Sequence, residues 1–378
     1  MQTAFNAYFE SLRGKKIAVL GLGVSNRPLV RLLLSFGCDV TGSDGKTTTT
    51  TLVSELLKAE GKKVWLGGNI GTPLLSFLPE MQEEDFAVVE LSSFQLMDME
   101  RSAQRAVITN LSPNHLDVHK DMEEYIEAKK NVYKFQNETG LLVVNADNAI
   151  TAPLLGNGET RYFSRQSKPV NGTYLENGVI YRVKNGVSEA VMPMETILLP
   201  GIHNVENYMT AIAVTDGLVS DDTIRHVAAT FGGVEHRIEL VRIKDGVRYY
   251  NYSIASSPSR TIAGLRSFPE QVILIAGGYD KHIPFDVLGP EVCKHVKRLY
   301  LTGATAQKIY DAVVNCPDYA EGKPEIIVID DFTDTVHAAA ASAKEGDVVL
   351  LSPACAAFDK FKNFMVRGKF FKKLVQEL

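Results

Sequence analysis

The loop of residues 42–47, with the sequence GSDGKT, has the residue types of a phosphate-binding turn. A glycine-containing loop between a strand and a helix directs backbone N–H groups at an anion, and the helix N-terminus adds positive potential. In such a loop Lys46 reaches the β- and γ-phosphates of a nucleotide, and Thr47 coordinates Mg²⁺. The loop is shorter than the usual GxxxxGK[ST] motif, because Val40 stands where its first glycine is needed. A small polar turn is the alternative, but the poor helix formers at 48–51 favour phosphate binding.

Three further residues could complete a metal and catalytic site beside this loop. Glu90 ends the apolar run 86–89, and a carboxylate at the carboxyl end of a strand next to a phosphate loop suits Mg²⁺. His115 follows another strand, at 106–109, and Lys129 lies in a helical segment. On residue types alone, a solvated strand end, a satisfied histidine and a solvated helix face explain these three residues as well.

Two loops in the last third of the chain have the position of a ligand site. Residues 277–281 (GGYDK) and residues 352–358 (SPACAAF) each follow a buried apolar strand. Ligands of doubly wound sheets bind at the carboxyl ends of the strands, although each loop could be only a tight connection. Near the N-terminus, residues 21–26 (GLGVSN) resemble a dinucleotide fingerprint whose third glycine is replaced by Asn26, which indicates phosphate contact at a helix start.

The elements that must position these residues alternate between strand and helix along most of the chain. This alternation predicts the α/β class, with a mostly parallel, doubly wound sheet. Asn177-Gly178 and Asn185-Gly186 are signals for hairpin turns, and Gly232-Gly233 indicates a hinge. The domains predicted from these breaks comprise residues 1–40, 41–233 and 234–378.

Length and composition exclude several classes of protein. A chain of 378 residues is long enough for two or three domains. The net charge is -5 and no block of like charges occurs, which disfavours a nucleic-acid groove or a polybasic membrane patch. No apolar run approaches the ~18 residues that a membrane-spanning helix needs. The four cysteines are far apart, without a CxxC pair, and the first residues lack the pattern of a signal peptide, so we expect reduced thiols in a cytoplasmic protein.

Eight segments, taken together and in order, resemble the Mur ligase superfamily. They are TGSDGKTTTT, GGNIGTPL, VVELSSFQL, NLSPNHLD, GIHNVENYMTA, GVEHRIELV, GGYDKHIPF and LLSPACAAFDKFKNFMVRGKFF, and they are distributed from residue 41 to residue 371. Within the superfamily they are most similar to the branch that adds D-glutamate. The resemblance implies three domains: an incomplete N-terminal Rossmann-like domain for the UDP end of the substrate, a central P-loop domain for ATP and a C-terminal Rossmann-like domain.

The resemblance also implies a reaction and its cofactors. In this family ATP activates a carboxylate as an acyl-phosphate, and an amine attacks it to give an amide and phosphate. The expected activity is the addition of D-glutamate to UDP-N-acetylmuramoyl-L-alanine in peptidoglycan precursor synthesis. Because both stages build up negative charge, ATP and two Mg²⁺ ions are the expected cofactors. We expect a cytoplasmic monomer without a nucleic-acid partner and without membrane insertion.

Individual residues receive roles from the same resemblance. Those matched to catalysis are Lys46, Glu90, His115 and Lys129, the last of which is carbamylated in the family. Those matched to ATP binding are Gly42, Ser43, Asp44, Gly45, Lys46, Thr47, Thr48, Asn204, Asn207 and Arg237. Those matched to the other substrates are Gly23, Val24, Ser25, Asn69, Ser92, Lys281, Ala357, Phe358 and Phe364. Those matched to Mg²⁺ are Thr47, Glu90, His115 and, if carbamylated, Lys129.

The sequence departs from the family pattern at several points, and two of these departures, Tyr252 and the short N-terminal region, motivate an alternative function. Tyr252 stands where the family usually has an aspartate near the nucleotide, and Ala357 stands where a serine is common. Only 41 residues precede Gly42, so we expect an incomplete first domain that lacks the strand usually found before the phosphate loop. The favoured hypothesis is an ordinary enzyme from which a segment near residues 40–41 is omitted. The alternative is a nucleotide-binding remnant of a Mur ligase without activity.

Overall fold

The described residues of the chain form two compact units. The computed structural model describes residues 37–70, 74–113 and 119–378. Within them, the first unit holds the chain up to Ile197 together with His203–Thr230, and the second unit holds Leu198–Ile202 and Phe231–Leu378. The fingerprint segment 21–26 lies outside the described residues, so the prediction of phosphate contact there stays a prediction.

The first unit is built on a nine-stranded sheet with the strand order 2-3-1-4-5-6-7-8-9. Its strands are β1 (Gly37–Thr41), β2 (Val64–Gly68), β3 (Phe86–Glu90), β4 (Arg105–Ile108), β5 (Leu141–Asn145), β6 (Glu159–Ser164), β7 (Gly172–Glu176), β8 (Val179–Lys184) and β9 (Val187–Pro193). The pairings among β1 to β7 are parallel, whereas β7–β8 and β8–β9 are antiparallel. The helices of this part of the chain are α1 (Lys46–Ala59), α2 (Ser93–Leu96), α3 (Met122–Lys130), α4 (Ile202–Thr215) and α5 (Asp221–Thr230), with 3₁₀ turns at Leu74–Glu80 and Met194–Thr196.

The two predicted hairpin turns are confirmed. Asn177 and Gly178 have φ values of 49° and 76°, and Asn185 and Gly186 have values of 50° and 79°. Positive φ at both central residues defines the turn whose twist matches two antiparallel strands, and Asn-Gly adopts it with little strain. These turns connect β7 to β8 and β8 to β9.

Strand β1 lies in the middle of the first sheet, between β3 and β4, and all five of its residues are buried. Since residues 42–47 follow it directly, a strand does precede the phosphate loop, contrary to the expectation that this strand would be absent. A division at residue 40 assigns most of β1 to the N-terminal domain, although it pairs with strands of the next one. The domain boundaries drawn from the sequence stay a prediction.

The second unit has a six-stranded sheet with the order 10-11-15-12-13-14. Its strands are β10 (Glu239–Lys244), β11 (Val247–Asn251), β12 (Val272–Ala276), β13 (Val296–Leu301), β14 (Glu325–Val328) and β15 (Val348–Leu351). Its helices are α6 (Pro258–Leu265), α7 (Gly289–His295), α8 (Ala306–Val314), α9 (Phe332–Ser342) and α10 (Phe364–Glu377), with a 3₁₀ turn at Asp286–Leu288. Only the β10–β11 pairing in this sheet is antiparallel.

Alternate residues of the central strands in the second unit belong to two separate hydrophobic cores. Leu274 of β12 packs with Leu350 of β15 in one cluster, and Ile273 packs with Val349 in the other. Since successive side chains of a strand point to opposite faces, both faces of the sheet are covered. The predicted α/β class with a doubly wound sheet is therefore confirmed. In the described part of the chain, no helix combines the length and the apolar character needed to cross a membrane.

Candidate functional site

The phosphate loop (residues 42–47) connects the carboxyl end of β1 to the first turn of α1. Gly42 has a φ of 147°, and a Cβ atom there would lie 2.0 Å from Oγ1 of Thr109. Gly45 has a φ of 75° and precedes the helix, which begins at Lys46 without a side-chain cap. Both glycines are thus required by the backbone, and the positive potential of the helix N-terminus is directed into the loop.

Asn110, at the carboxyl end of β4, holds the first half of the phosphate loop. Its backbone oxygen accepts a hydrogen bond of 2.9 Å from the N–H of Ser43, and its Oδ1 accepts one of 2.9 Å from the N–H of Asp44. Thr109 adds a hydrogen bond of 2.6 Å from its hydroxyl to the backbone oxygen of Asp44. A phosphate in this loop would therefore be bound by N–H groups from Gly45 onward.

Two asparagines of α4 lie against the other side of the loop. Oδ1 of Asn207 accepts a hydrogen bond of 3.2 Å from the hydroxyl of Thr49, and its Nδ2 donates one of 3.1 Å to Oδ1 of Asn204. A Cβ atom on Gly45 would lie 2.7 Å from Oδ1 of Asn207. The structure thus brings two residues matched to ATP binding next to the phosphate loop, although they are about 160 positions away in sequence.

Glu90 ends β3, the neighbour of β1, and its carboxylate is buried with a side chain only 1% exposed. Oε1 accepts a hydrogen bond of 3.0 Å from Nδ2 of Asn69. A residue matched to Mg²⁺ is therefore in contact with a residue matched to substrate binding. Within the described part of the chain, Oε2 of Glu90 is buried without a hydrogen-bond partner. A buried carboxylate oxygen that lacks a donor is suited to a cation.

Lys129, on α3, is buried beneath the phosphate loop. Its Nζ donates hydrogen bonds of 3.0 Å to Oγ1 of Thr41 and 2.9 Å to the backbone oxygen of Gly42. The pKa of this amine is lowered to about 7, chiefly by burial and also by the charge of Lys46, whereas Glu90 opposes the shift. A large fraction of the amine is therefore uncharged near neutral pH, which is unusual for lysine.

Several residues near the loop were missed by the sequence analysis. The hydroxyl of Tyr125 lies 3.0 Å from Oγ of Ser43, and its ring centroid lies 4.9 Å from Nζ of Lys129. Nε2 of the buried His119 lies 2.9 Å from Oγ of Ser93. The spacing of four residues between Tyr125 and Lys129 could have placed both on one helix face.

Two more residues of the first unit were predicted to belong to the site, and the structure describes one of them. Ser92 caps α2, and its hydroxyl and N–H both donate to Oε1 of Gln95 at 2.9 Å. His115 lies outside the described residues. In the described part of the chain, no group of three or more His, Cys, Asp or Glu side chains is arranged to hold a metal ion.

In the second unit, four residues are matched to the substrates other than ATP, and three of them lie on loops that follow β12 and β15, which are neighbouring parallel strands. The N–H of Tyr279 donates a hydrogen bond of 3.0 Å to the backbone oxygen of Ala356, which links the two loops. The ring of Tyr279 contacts that of Phe358 edge to face, with centroids 5.8 Å apart. Lys281 and Ala357 are adjacent to this link, so the structure brings three of the four predicted residues to one sheet edge.

Phe364, Arg237 and Tyr252 also belong to the second unit. Phe364 is the first residue of α10, and its ring meets that of His236 edge to face at 5.8 Å. The N–H of Arg237 donates to the backbone oxygen of Val234.

The ring of Tyr252 lies so close to α6 that a Cβ atom on Gly264 would be 2.7 Å from it. The tyrosine that replaces the family's aspartate is therefore packed against the core.

Comparison with known sequences identifies the family. The family described as "Mur ligase middle domain" matches residues 40–215, and the family described as "Mur ligase, glutamate ligase domain" matches residues 236–355. The chain belongs to the Mur ligase family. Among curated Mur ligases, the UDP-N-acetylmuramoylalanine--D-glutamate ligase of Clostridium beijerinckii is 51% identical over 90% of this chain and 74% of its own length. The enzyme of the same name from Ruminiclostridium cellulolyticum is 41% identical over the full length of both chains.

The alignment with the Ruminiclostridium cellulolyticum enzyme shows that this Mur ligase is shorter than that relative. It extends over 465 residues, whereas this chain has 378, so the relative carries residues that have no counterpart here. Because these relatives are named as ligases, they do not support the alternative of an inactive nucleotide-binding remnant.

Solved structures of Mur ligases share the fold. UDP-N-acetylmuramoyl-L-alanyl-D-glutamate--2,6-diaminopimelate ligase is 20% identical, with a TM-score of 0.65 over 91% of this chain and 79% of that one. UDP-N-acetylmuramate-alanine ligase from Thermotoga maritima is 19% identical, with a TM-score of 0.64 over 93% and 78%. At these identities the likeness shows the fold alone.

Proposed function

We propose that this chain is an ATP-dependent ligase that adds D-glutamate to UDP-N-acetylmuramoyl-L-alanine in peptidoglycan precursor synthesis. The observation that carries the proposal is the 51% identity over 341 residues with a relative that is named for this reaction. The phosphate loop, with Asn204 and Asn207 beside it, supports the use of ATP. The second unit adds two loops at the carboxyl ends of parallel strands, where ligands of such sheets bind.

The reaction has two steps, and both place negative charge near the phosphate loop. An oxygen of the substrate carboxylate attacks the γ-phosphorus of ATP, and the bond to ADP breaks. The uncharged amine of D-glutamate then attacks the acyl-phosphate carbon, phosphate leaves with the C–O bond electrons, and the amine loses a proton to give the amide. We infer that Lys46 and the N-terminus of α1 stabilise the charge in both steps.

We further infer that this site holds Mg²⁺. Oε2 of Glu90 is a buried oxygen without a donor in the described part of the chain, which fits a cation, and Thr47 would share that ion. Lys129 and His115 would hold a second ion once Lys129 is carbamylated. Carbamylation joins the uncharged amine to the carbon of CO₂ and releases a proton, and the lowered pKa of Lys129 favours this step. Bound Mg²⁺ supplies neutralisation of phosphate charge.

We assign the other substrates by the same resemblance. Gly23, Val24 and Ser25 would contact the UDP moiety, Asn69 and Ser92 the muramoyl end, and the second-unit loops with Lys281, Ala357, Phe358 and Phe364 would contact D-glutamate. Thr48 and Arg237 would contribute to ATP binding. We also propose that the protein acts as a monomer in the cytoplasm, a location supported by its four cysteines, which are all free thiols.

The test is ADP release and amide formation by the purified chain. We expect turnover that needs ATP, Mg²⁺, UDP-N-acetylmuramoyl-L-alanine and D-glutamate together, and that L-glutamate does not support. Lys46→Ala should abolish it, whereas Lys58→Ala, which removes an exposed lysine from the last turn of the same helix, should not. ADP release that is equal without the two other substrates would overturn the proposal. Tight ATP binding without amide product would revive the inactive remnant.

A further inference from the structure

Arg367 is a buried cation near the start of α10. Its side chain is only 2% exposed and donates four hydrogen bonds. Nε donates to Oγ of Ser253 at 3.0 Å, and Nη2 donates to the backbone oxygens of Ser253 at 2.9 Å and of Cys355 at 3.0 Å. Nη1 donates to the backbone oxygen of Ala356 at 3.0 Å.

All acceptors of this guanidinium are uncharged. No carboxylate of the described residues lies within ion-pair distance of Arg367, although the charge of Asp359 acts on it from farther away. The pKa of the guanidinium is lowered to about 10, chiefly by burial, so it stays charged at neutral pH. A buried charge without a counter-ion is costly unless its donors are satisfied, and here each nitrogen has an acceptor. Replacing the side chain removes a donor from three backbone oxygens, of which that of Ala356 keeps the N–H of Tyr279 as a donor.

The acceptors belong to loops that follow neighbouring parallel strands. Ser253 follows β11, and Cys355 and Ala356 follow β15. The backbone oxygen of Ala356 also accepts from the N–H of Tyr279, which follows β12. Since β11, β15 and β12 are adjacent in the sheet, the guanidinium links the carboxyl-end loops of β11 and β15 directly and that of β12 through the shared oxygen of Ala356.

The loop after β15 needs such support because its backbone is strained. Ala354 is buried and has a φ of 58°, a left-handed conformation that non-glycine residues rarely adopt. The two residues after it, Cys355 and Ala356, are those whose oxygens bind Arg367. The hydroxyl of Ser253, which accepts from Arg367, in turn donates a hydrogen bond of 2.8 Å to the backbone oxygen of Phe364.

We propose that Arg367 is a positioning residue for the amino-acid substrate, because it holds the three carboxyl-end loops and the first turn of α10 in one arrangement. This inference rests on the proposed ligase function. Lys281, Ala357, Phe358 and Phe364 are the residues we assigned to D-glutamate, and each lies on, or next to, a segment that Arg367 binds directly or through one hydrogen bond. Arg367 acts through these segments and does not itself contact the substrate.

The test compares Arg367→Lys and Arg367→Met with Val336→Ala. Lysine keeps the charge but cannot reach four acceptors in this fork geometry, and methionine removes the charge. Val336 of α9 is buried in the same core cluster as Phe371 of α10 and takes no part in the hydrogen bonds of Arg367, so its truncation destabilises the same unit without removing a contact to the loops. Two quantities are measured: the KM for each of the three substrates, and hydrogen–deuterium exchange of residues 277–281 and 353–358.

We expect Arg367→Lys to raise the KM for D-glutamate by about tenfold or more, with changes below about twofold for ATP and UDP-N-acetylmuramoyl-L-alanine. Exchange should accelerate in both loops of Arg367→Lys and Arg367→Met, but not in Val336→Ala. Equal changes in all three KM values, or loop exchange that matches Val336→Ala, would overturn the inference. If the unmodified protein makes no amide, the proposed function fails, and loop exchange still decides whether Arg367 positions the loops.

Discussion

Asp39 provides the sharpest test of how the first unit is held together. It lies in the middle of β1, opposite Val89 and Ala106 of the neighbouring strands, and both of these belong to the apolar core. Its side chain is 0% exposed, and within the described part of the chain neither carboxylate oxygen has a hydrogen-bond partner. Burial raises the pKa of this carboxyl well above its usual range. We predict that Asp39→Val stabilises the protein.

The size of the effect follows from the environment of Asp39. A buried polar group without a partner costs about 1–3 kcal/mol, and a buried valine adds hydrophobic stabilisation, so we expect a gain of about 2–4 kcal/mol. For a unit of this size the gain corresponds to a rise in Tm of about 5–15 °C. Valine is also a good strand former, so the backbone of β1 should accept it.

The same carboxyl should make stability depend on pH. Because its pKa is higher in the folded than in the unfolded state, the folded protein binds more protons between those two values. The free energy of unfolding should therefore fall as pH rises through that window, by at most ~1.4 kcal/mol per pH unit. Asp39→Asn keeps a buried polar group but cannot titrate, so it should remove this slope without the full gain in stability.

The assay is urea unfolding, followed by circular dichroism between about pH 5 and pH 8, on the unmodified protein and both variants. We expect the advantage of Asp39→Val over the unmodified protein to grow with pH. A free energy of unfolding for Asp39→Val at or below that of the unmodified protein would refute the reasoning about burial. A difference that stays constant across the pH range would refute the reasoning about titration.

Three further predictions concern the phosphate site. Glu90→Gln keeps the size of the side chain but removes the charge proposed to hold Mg²⁺, so steady-state turnover should fall at least about 100-fold. Lys129→Met should abolish turnover, and bicarbonate should activate the unmodified protein increasingly as pH rises through about 7, because the uncharged amine is the form that reacts with CO₂. Asp44→Asn removes an exposed carboxylate from the phosphate loop, so ATP should bind about 2–5-fold more tightly at low salt in a calorimetric titration.

Each of these variants has a matched control. Glu55→Gln changes an exposed carboxylate of α1, and Lys130→Met changes the more exposed lysine next to Lys129, so both should retain full turnover. For Asp44→Asn the control is ionic strength, because a surface charge effect shrinks in salt. Full turnover in Glu90→Gln, bicarbonate activation that survives in Lys129→Met, or a salt-independent gain in Asp44→Asn would contradict the respective argument.

Local sequence patterns were sufficient to predict a large part of this protein. The Asn-Gly pairs determined the two hairpin turns, and the alternation of apolar strands with helices determined the class of the fold. The segment GSDGKT determined a loop between a strand and a helix, because Gly42 and Gly45 allow backbone conformations that few other residues adopt. Each of these features depends on neighbours a few positions apart, which are visible in a single sequence.

Only the tertiary structure decided where distant segments meet. It placed β1 in the centre of the first sheet, put Asn207 beside Thr49, and buried Lys129 beneath the loop, where the pKa of its amine falls to about 7. It also showed Arg367 as the connection between three loops, a role that nothing in the segment VRGKFF indicates. Burial, pKa and strand order depend on pairings between residues far apart in the chain, and these are set by the packing of the whole sheet rather than by local preference.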